Sequence, residues 1–332
     1  MNLQNRIAIL IKLGEYLESN PPEWEAIKQN AFYKNPWFTD SFVETAKNNI
    51  VQHFLKTQLL ENWCAHYSIP NELNEIKNIG IVMAGNIPLV GFHDFLSVFI
   101  SGHRQTIKLS SKDDVLLKHF IDKMISWDVE IKELIIVADQ LKQCDAYIAT
   151  GNNQSAGYFE TYFGKYPNII RKNRTSIAVL DGSETETELL ELSNDVHLYF
   201  GLGCRNVSKI YVPEDYDFVP LLRAFDNFNT LGNHHKFRNN YDYQLSICLI
   251  NSIPYMTNEC TILLESKLVH APISVLYYEF YSKSENPIDK MTNKDELQCI
   301  IGKNHLPFGK SQIPGLYDYA DDVDTIQFLS QL

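Results

Sequence analysis

Apolar and polar positions change their spacing along this chain, and the changes divide it. Residues 1 to about 75 are rich in helix formers and aromatics, punctuated by Asn20-Pro21-Pro22-Glu23 and Asn35-Pro36, and predict several helices. The first twenty residues read as an amphipathic helix. From Asn78 the texture shifts to short apolar runs separated by Gly, Asn or Asp and by amphipathic stretches. Residues 79–83, 106–109, 134–137, 146–149 and 177–180 predict buried strands, and 92–100, 113–125 and 155–163 have helical spacing. Strand-helix alternation of this kind implies a parallel sheet and suggests a nucleotide-binding domain.

Beyond about residue 182 the pattern loosens. A glycine-rich turn at Gly201-Leu202-Gly203 precedes a strand at 208–212 and a helix near 217–227, and 261–264 and 273–281 alternate like strands of a second sheet. No internal repeat or low-complexity tract interrupts the pattern. Two α/β lobes are the simplest account, and 332 residues agree with about two domains at roughly 150 residues each.

Composition narrows the classes. With 45% hydrophobic and 21% charged residues the chain is globular, which excludes long disorder and a fibrous repeat, while its 332 residues exclude a disulfide-stapled mini-protein. A net charge of −12, from 29 Lys+Arg against 41 Asp+Glu, argues against a nucleic-acid groove or an anionic membrane surface as the main partner. Only five consecutive apolar residues, Ile7 to Ile11, lie between Arg6 and Lys12, too few for a secretory core. Asn86, Pro88, His93 and Asp94 interrupt the best candidate membrane span, so the expectation is a soluble, cytoplasmic protein. The six cysteines are widely spaced, with no CxxC pair and no zinc-like cluster, and adjacent His234 and His235 lack a third ligand at suitable spacing; they read as exposed loop residues, and no metal is expected.

Four segments could carry chemistry. In Ala84-Gly85-Asn86-Ile87-Pro88-Leu89 a strand ends before a Pro-started helix, and Asn86 either offers its amide to a developing oxyanion or caps that helix. In Lys108-Leu109-Ser110-Ser111-Lys112 a strand-end lysine precedes two hydroxyls at a helix start, which suits an anion or a ribose, or is an exposed strand end with serine caps. In Thr150-Gly151-Asn152 a strand runs into a Gly/Asn turn before a helix. Last, Gly201-Leu202-Gly203-Cys204-Arg205 sets a cysteine among glycines, with Arg205 and Lys209 near enough in sequence to favour its thiolate. The basic run Arg171-Lys172-Asn173-Arg174 could steer phosphates or be a solvated turn.

Taken in order, these segments resemble the aldehyde dehydrogenase superfamily, and most closely its acyl-CoA reductase branch, the LuxC-like fatty-acyl reductases, over about residues 75–332. The resemblance implies an α/β, aldehyde dehydrogenase-like fold of two α/β lobes. A helical segment (1–75) packs on a Rossmann-like NADP(H)-binding domain (76–182), followed by a catalytic cysteine domain (183–305) and a C-terminal segment (306–332). It further implies that Cys204 is the nucleophile and Asn86 the oxyanion donor. Lys108, Ser110 and Ser111 would hold the adenosine ribose, Thr150, Gly151 and Asn152 the pyrophosphate turn, and Ala84, Gly85 and Gly182 further cofactor contacts.

Where hydrolytic members carry the glutamate that activates water, this chain has Val179, so no general base stands there and a thiol carrier is implied. Ser111 replaces the carboxylate that selects an unphosphorylated ribose, which favours NADPH over NADH. The glutamate expected to hold the nicotinamide ribose is missing from Leu268-Val269-His270-Ala271-Pro272. The function implied is NADPH-dependent reduction of an acyl-CoA or acyl carrier protein thioester to an aldehyde through a Cys204 thioester. An acyl-transferase or synthetase partner and a homo-oligomer are implied with it. The alternatives are a redox-inactive acyl-carrier-binding or scaffolding subunit, and a hydrolase pairing Cys204 with His197 or His270.

Overall fold

Four helices open the chain: α1 (Leu3–Glu18), α2 (Pro22–Lys34), α3 (Asp40–His53) and α4 (Thr57–His66). Asn2 caps α1 by accepting the Asn5 N–H at 2.9 Å, and Pro22 starts α2 where a missing N–H costs no hydrogen bond. Their apolar stripes, with Leu10, Leu13, Trp24 and Trp63 fully or almost fully buried, close over one core. The structure, a computed structural model, describes residues 1–282, 284, 286–291 and 294–332.

The first sheet comprises β1 (Asn78–Val82), β2 (Arg104–Lys108), β3 (Ile135–Val137), β4 (Ala146–Thr150) and β5 (Asn168–Arg171), all parallel in the order β3-β2-β1-β4-β5. Helices α5 (Phe92–Ser101), α6 (Leu116–Trp127) and α7 (Asn153–Phe163) lie in its crossovers. Ile79, Ile81, Ile107 and Ile148 are fully buried, as expected of parallel strands covered on both faces.

The second sheet comprises β6 (Thr175–Val179), β7 (Val207–Pro213), β8 (Met256–Thr257), β9 (Ile262–Glu265), β10 (Val275–Tyr281) and β11 (Leu297–Ile301), in the order β11-β6-β7-β10-β9-β8. Its pairings are parallel except β8 with β9. Helices α8 (Glu186–His197), α9 (Phe218–Phe225) and α10 (His235–Ile250) accompany it, and Leu189, Leu192, Leu221 and Phe225 of the first two pack with Ala178, Ile210, Val212 and Leu276 of the strands. Thr185 and Glu188 start α8 with a reciprocal capping box.

Two compact units result: Met1–Asn173 with Pro314–Leu332, and Arg174–Ile313. The boundary at 173 corrects the expected lobe end at 182. Segment 177–180 reads like any other buried strand, but as β6 it pairs with β7 and β11. The expected C-terminal segment also divides, because residues after 313 return to the first unit. There α11 (Thr325–Ser330) packs on α5, Trp63 donates its Nε1–H to the Tyr319 hydroxyl at 3.0 Å, and Arg171 bonds Asp94 at 2.6 Å and the Thr325 hydroxyl at 3.0 Å.

Two more expectations change. The helix after β1 starts at Phe92, not at Pro88, so residues 86–91 form turns and Asn86 is not its cap. His234 and His235 are no loop pair: His234 caps α10 by accepting the Phe237 N–H at 3.4 Å, and His235 is that helix's first residue. Among the described residues no helix is long and apolar enough to cross a membrane.

Candidate active site

Within the first unit, β2, β1 and β4 are adjacent and parallel, so the segments that follow them leave the sheet at one edge. Asn86 follows β1 and is exposed; Lys108 ends β2 and is exposed, with Ser110 and Ser111 next; Thr150, Gly151 and Asn152 join β4 to α7. The crossovers from β1 and β4 run to opposite sides of the strand order, and open α/β sheets bind ligands at such a reversal, outside the strand carboxyl ends. The first unit therefore gathers all its predicted site residues along one sheet edge.

Local packing fixes this edge. Met83 donates its N–H to the Lys108 carbonyl at 3.1 Å, and a Cβ added to Gly85 would stand 2.5 Å from the Ser110 hydroxyl, so only glycine fits there. Leu89 is buried at φ +58°, a conformation that costs an L-residue about 1–2 kcal/mol, and its N–H donates to the Asp113 carboxylate at 2.7 Å. Asp113 is itself buried, and that burial pushes its carboxyl up to about 7 against the opposing pull of the Leu89 and Leu116 amides. Asn152 caps α7, accepting the Ser155 N–H at 2.8 Å.

The donor set at this edge suits a nicotinamide dinucleotide. It offers the Lys108 ammonium, the Ser110 and Ser111 hydroxyls and the N-terminus of an eleven-residue helix. The carboxylates of the same turn are engaged away from such a ligand, Asp113 inward on Leu89 and Asp114 by Lys34 at 2.7 Å. Exposed Ser111 and Lys112 add two hydrogen-bond donors and no negative charge.

In the second unit Cys204 is partly exposed on the turn that enters β7, while Cys64, Cys144, Cys248 and Cys260 are buried. Three consecutive residues before it, Tyr199, Phe200 and Gly201, have φ of 56°, 59° and 71°. Two buried aromatics in that conformation mark a strained approach, and Asn206 holds it. The Asn206 side chain accepts the Gly203 N–H at 2.8 Å and donates to the carbonyls of Asp195 at 3.0 Å and Leu198 at 2.9 Å, closing the turn onto the end of α8. Ser176, fully buried on β6, donates its hydroxyl to the Cys204 carbonyl at 3.1 Å and accepts the Cys299 N–H at 3.1 Å.

Both cations expected to favour the Cys204 thiolate have other partners. Lys209 is fully buried, bonds Glu279 of β10 at 2.5 Å and lies over the Tyr211 ring at 4.8 Å. Arg205 donates to the Cys299 sulfur at 3.3 Å. The basic run before β6 is similarly engaged: Arg171 with Asp94, Lys172 with Glu160 at 2.9 Å, and Arg174 with the Leu297 carbonyl at 2.9 Å.

Gly182 belongs to this second unit, not to the first as expected. It sits at φ +84° in a turn whose Asp181 and Gly182 N–H groups donate to Glu184 at 2.6 and 3.2 Å, beside a cavity that Glu184, Asp215 and Asp217 line with negative charge. That setting does not suit a cofactor phosphate. Val179 ends β6, and Leu268 is 64% exposed where a carboxylate was sought. His197 is buried between Phe225 and Phe228, bonded to the Ser193 carbonyl at 2.8 Å and the Thr261 hydroxyl at 2.6 Å, and burial pushes it down to about 4. His270 pairs with Glu296 at 3.3 Å. Neither arrangement recommends a Cys/His hydrolase. Among the described residues no group of three or more His, Cys, Asp or Glu could hold a metal ion.

No family model and no curated protein matches the sequence. Solved structures do match. An indole-3-acetaldehyde dehydrogenase from P. syringae, solved as a cysteine-to-alanine mutant with NAD+ and IAA, superposes with a TM-score of 0.63 at 11% identity, over 87% of this chain and 69% of that one. The fold is that of the aldehyde dehydrogenases. Two further aldehyde dehydrogenases agree: number 21 from Physcomitrella patens, with succinate, at TM-score 0.64 and 14% identity over 91% of this chain and 74% of that one, and the Mycobacterium tuberculosis protein with NAD+, at 0.60 and 12% over 87% and 70%. Identities this low carry the fold alone. Asp113, Ser176 and Asn206, which bond the Leu89 N–H, the Cys204 carbonyl and the Gly203 N–H, are residues that sequence reasoning missed; only the spacing of Asn206, three residues after Gly203, hints at a turn.

Proposed function

We propose that this protein is an NADPH-dependent acylating reductase that converts a fatty acyl thioester, carried by CoA or an acyl carrier protein, to the aldehyde. The observation that carries the reading is Cys204, partly exposed on a turn clamped by Asn206 and Ser176 at the entrance to an interior strand. In this reading the Cys204 thiolate attacks the thioester carbonyl, and the tetrahedral adduct collapses to expel the carrier as a thiolate that takes its proton from solvent. The Cys204 N–H and the Asn86 side-chain amide donate to the oxyanion. Lys108, Ser110 and Ser111 hold the adenosine ribose and its phosphate, and the N-terminus of α7 faces the pyrophosphate. When bound, the reduced nicotinamide supplies the hydride that releases the acyl group from Cys204 as aldehyde.

Val179 explains the direction of the chemistry. An apolar side chain at the position of the water-activating base leaves the enzyme thioester without hydrolysis, so the acyl group is kept for reduction. An acyl-transferase or synthetase feeding Cys204, and assembly of several copies of the chain, belong to the same proposal. The test is NADPH consumption with a panel of acyl-CoAs, with the aldehyde trapped. Consumption that yields aldehyde and disappears in Cys204→Ala is the expected result. A folded protein that binds thioesters but never oxidises NADPH would favour an acyl-carrier-binding subunit, for which exposed Leu268 in place of a carboxylate is the motive.

A further inference from the structure

The segment that carries Asn86 is anchored at both ends by one short turn. On one side Gly85 lies so close that a Cβ would meet the Ser110 hydroxyl at 2.5 Å and the Asp113 nitrogen at 3.2 Å. On the other, left-handed Leu89 donates its N–H to Asp113 Oδ2 at 2.7 Å. The turn is closed on itself, with Asp113 N–H donating to the Ser110 carbonyl at 3.0 Å and Lys112 N–H to the Ser110 hydroxyl at 3.3 Å. Asp113 is buried, and its second oxygen, Oδ1, has no hydrogen-bond partner among the described residues. A carboxylate placed in the interior at such cost, and bonded to a strained backbone amide, has positioning as its evident use.

We propose that Asp113 is the positioning residue for Asn86, and that through it the turn on the cofactor side sets the placement of the oxyanion donor. The role of Asn86 in this statement rests on the reductase reading; the clamp itself does not. An ionised Asp113 makes a charge-assisted bond to Leu89 that is stronger than the neutral one, so the clamp tightens as the carboxyl loses its proton. Among the described residues the charged group acting on Asp113 is Asp114, itself held by Lys34 of α2, and residues 84–91, which lie against it, include no titratable side chain.

The test joins hydrogen exchange with a double-mutant cycle. On the cofactor-free protein, Asp113→Ala should speed amide exchange across residues 86–89, whereas Asp113→Asn, which keeps an oxygen for the Leu89 N–H, should leave it near wild type. In turnover, Asp113→Ala should lower kcat about 10-fold with the KM for NADPH within about twofold. In an Asn86→Ala background the same change should cost less than about twofold, because the group it positions is gone. The wild-type kcat should also carry an ionisation near 7 that Asp113→Asn removes. Unchanged exchange in Asp113→Ala, equal losses in both backgrounds, or an unaltered pH profile in Asp113→Asn would each overturn the proposal. A wild type silent toward every thioester, with exchange still accelerated in Asp113→Ala, would support the clamp and overturn the reductase reading instead.

Discussion

The Ser176 hydroxyl donates to the carbonyl of Cys204 at 3.1 Å, so a fully buried side chain on β6 fixes the backbone of the candidate nucleophile one strand away. Ser176→Ala leaves that carbonyl and the Cys299 N–H without this partner, at a cost of about 1–3 kcal/mol for each group left unsatisfied. The expected outcome is a kcat lowered about 10-fold and a faster reaction of Cys204 with iodoacetamide. Paired rate measurements on the two proteins check it.

Cys204→Ala should abolish aldehyde formation while the protein still gains thermal stability from NADPH. Removing the sulfur takes away the covalent step but none of the Lys108, Ser110 or α7 groups proposed to hold the cofactor. A melting curve with and without NADPH, beside a turnover assay, separates the two effects.

Ser111→Glu should invert cofactor preference. A carboxylate there would repel a ribose phosphate and accept from an unmodified hydroxyl pair, raising the KM for NADPH more than about 10-fold with that for NADH unchanged or lower. Steady-state kinetics with both cofactors decide it.

Arg171 and Asp94 form a buried ion pair at 2.6 Å, their side chains 4% and 11% exposed. Removing either partner strands the other charge, so Arg171→Ala and Asp94→Ala should each destabilise the first unit by about 3–5 kcal/mol. Urea unfolding followed by fluorescence of Trp24 and Trp63, both buried in that unit, reads the loss.

His197 is held neutral by burial, its value pushed down to about 4 from an ordinary value near 6.5. Between these values the unfolded chain binds a proton that the folded chain refuses, so this residue's stabilising contribution is whole above about pH 6.5 and is lost as pH falls toward 4. Over that window the second unit should lose up to about 3 kcal/mol, and His197→Phe should flatten the dependence. Unfolding midpoints at a series of pH values check the slope.

The sheet edge was legible in the sequence because each of its segments announces itself locally. β1, β2 and β4 are short apolar runs that stop at Gly, Lys or Thr-Gly-Asn, and the candidate site residues follow the stop. What was not legible depends on partners far along the chain. Nothing in residues 175–179 says that β6 pairs with β11, more than a hundred residues later, rather than with the strands just made. The run Ser110-Ser111-Lys112-Asp113-Asp114 reads as two hydroxyls at a helix start, whereas it forms a turn ahead of α6, where the Leu89 N–H binds the inward Asp113 carboxylate. Lys209 likewise looks like a cation available to Cys204 until Glu279 is found across the ladder. Helix α10 was missed because its buried side is thin, with Phe237, Tyr241 and Cys248 as its buried residues among many exposed polar ones.

The return of residues 314–332 to the first unit sets an order of events on the ribosome. Every residue of the second unit is synthesised before Tyr319, Ile326 and Leu329, which complete the hydrophobic core of the first. The unit begun earlier is thus finished later: its five-stranded sheet must wait, with part of its core uncovered, until a whole intervening domain has emerged. The second unit, drawn from one continuous stretch, can close as soon as its own residues are out. A chain cut after residue 313 would therefore hold every residue of the second unit while its first unit lacked Trp63's partner, Tyr319.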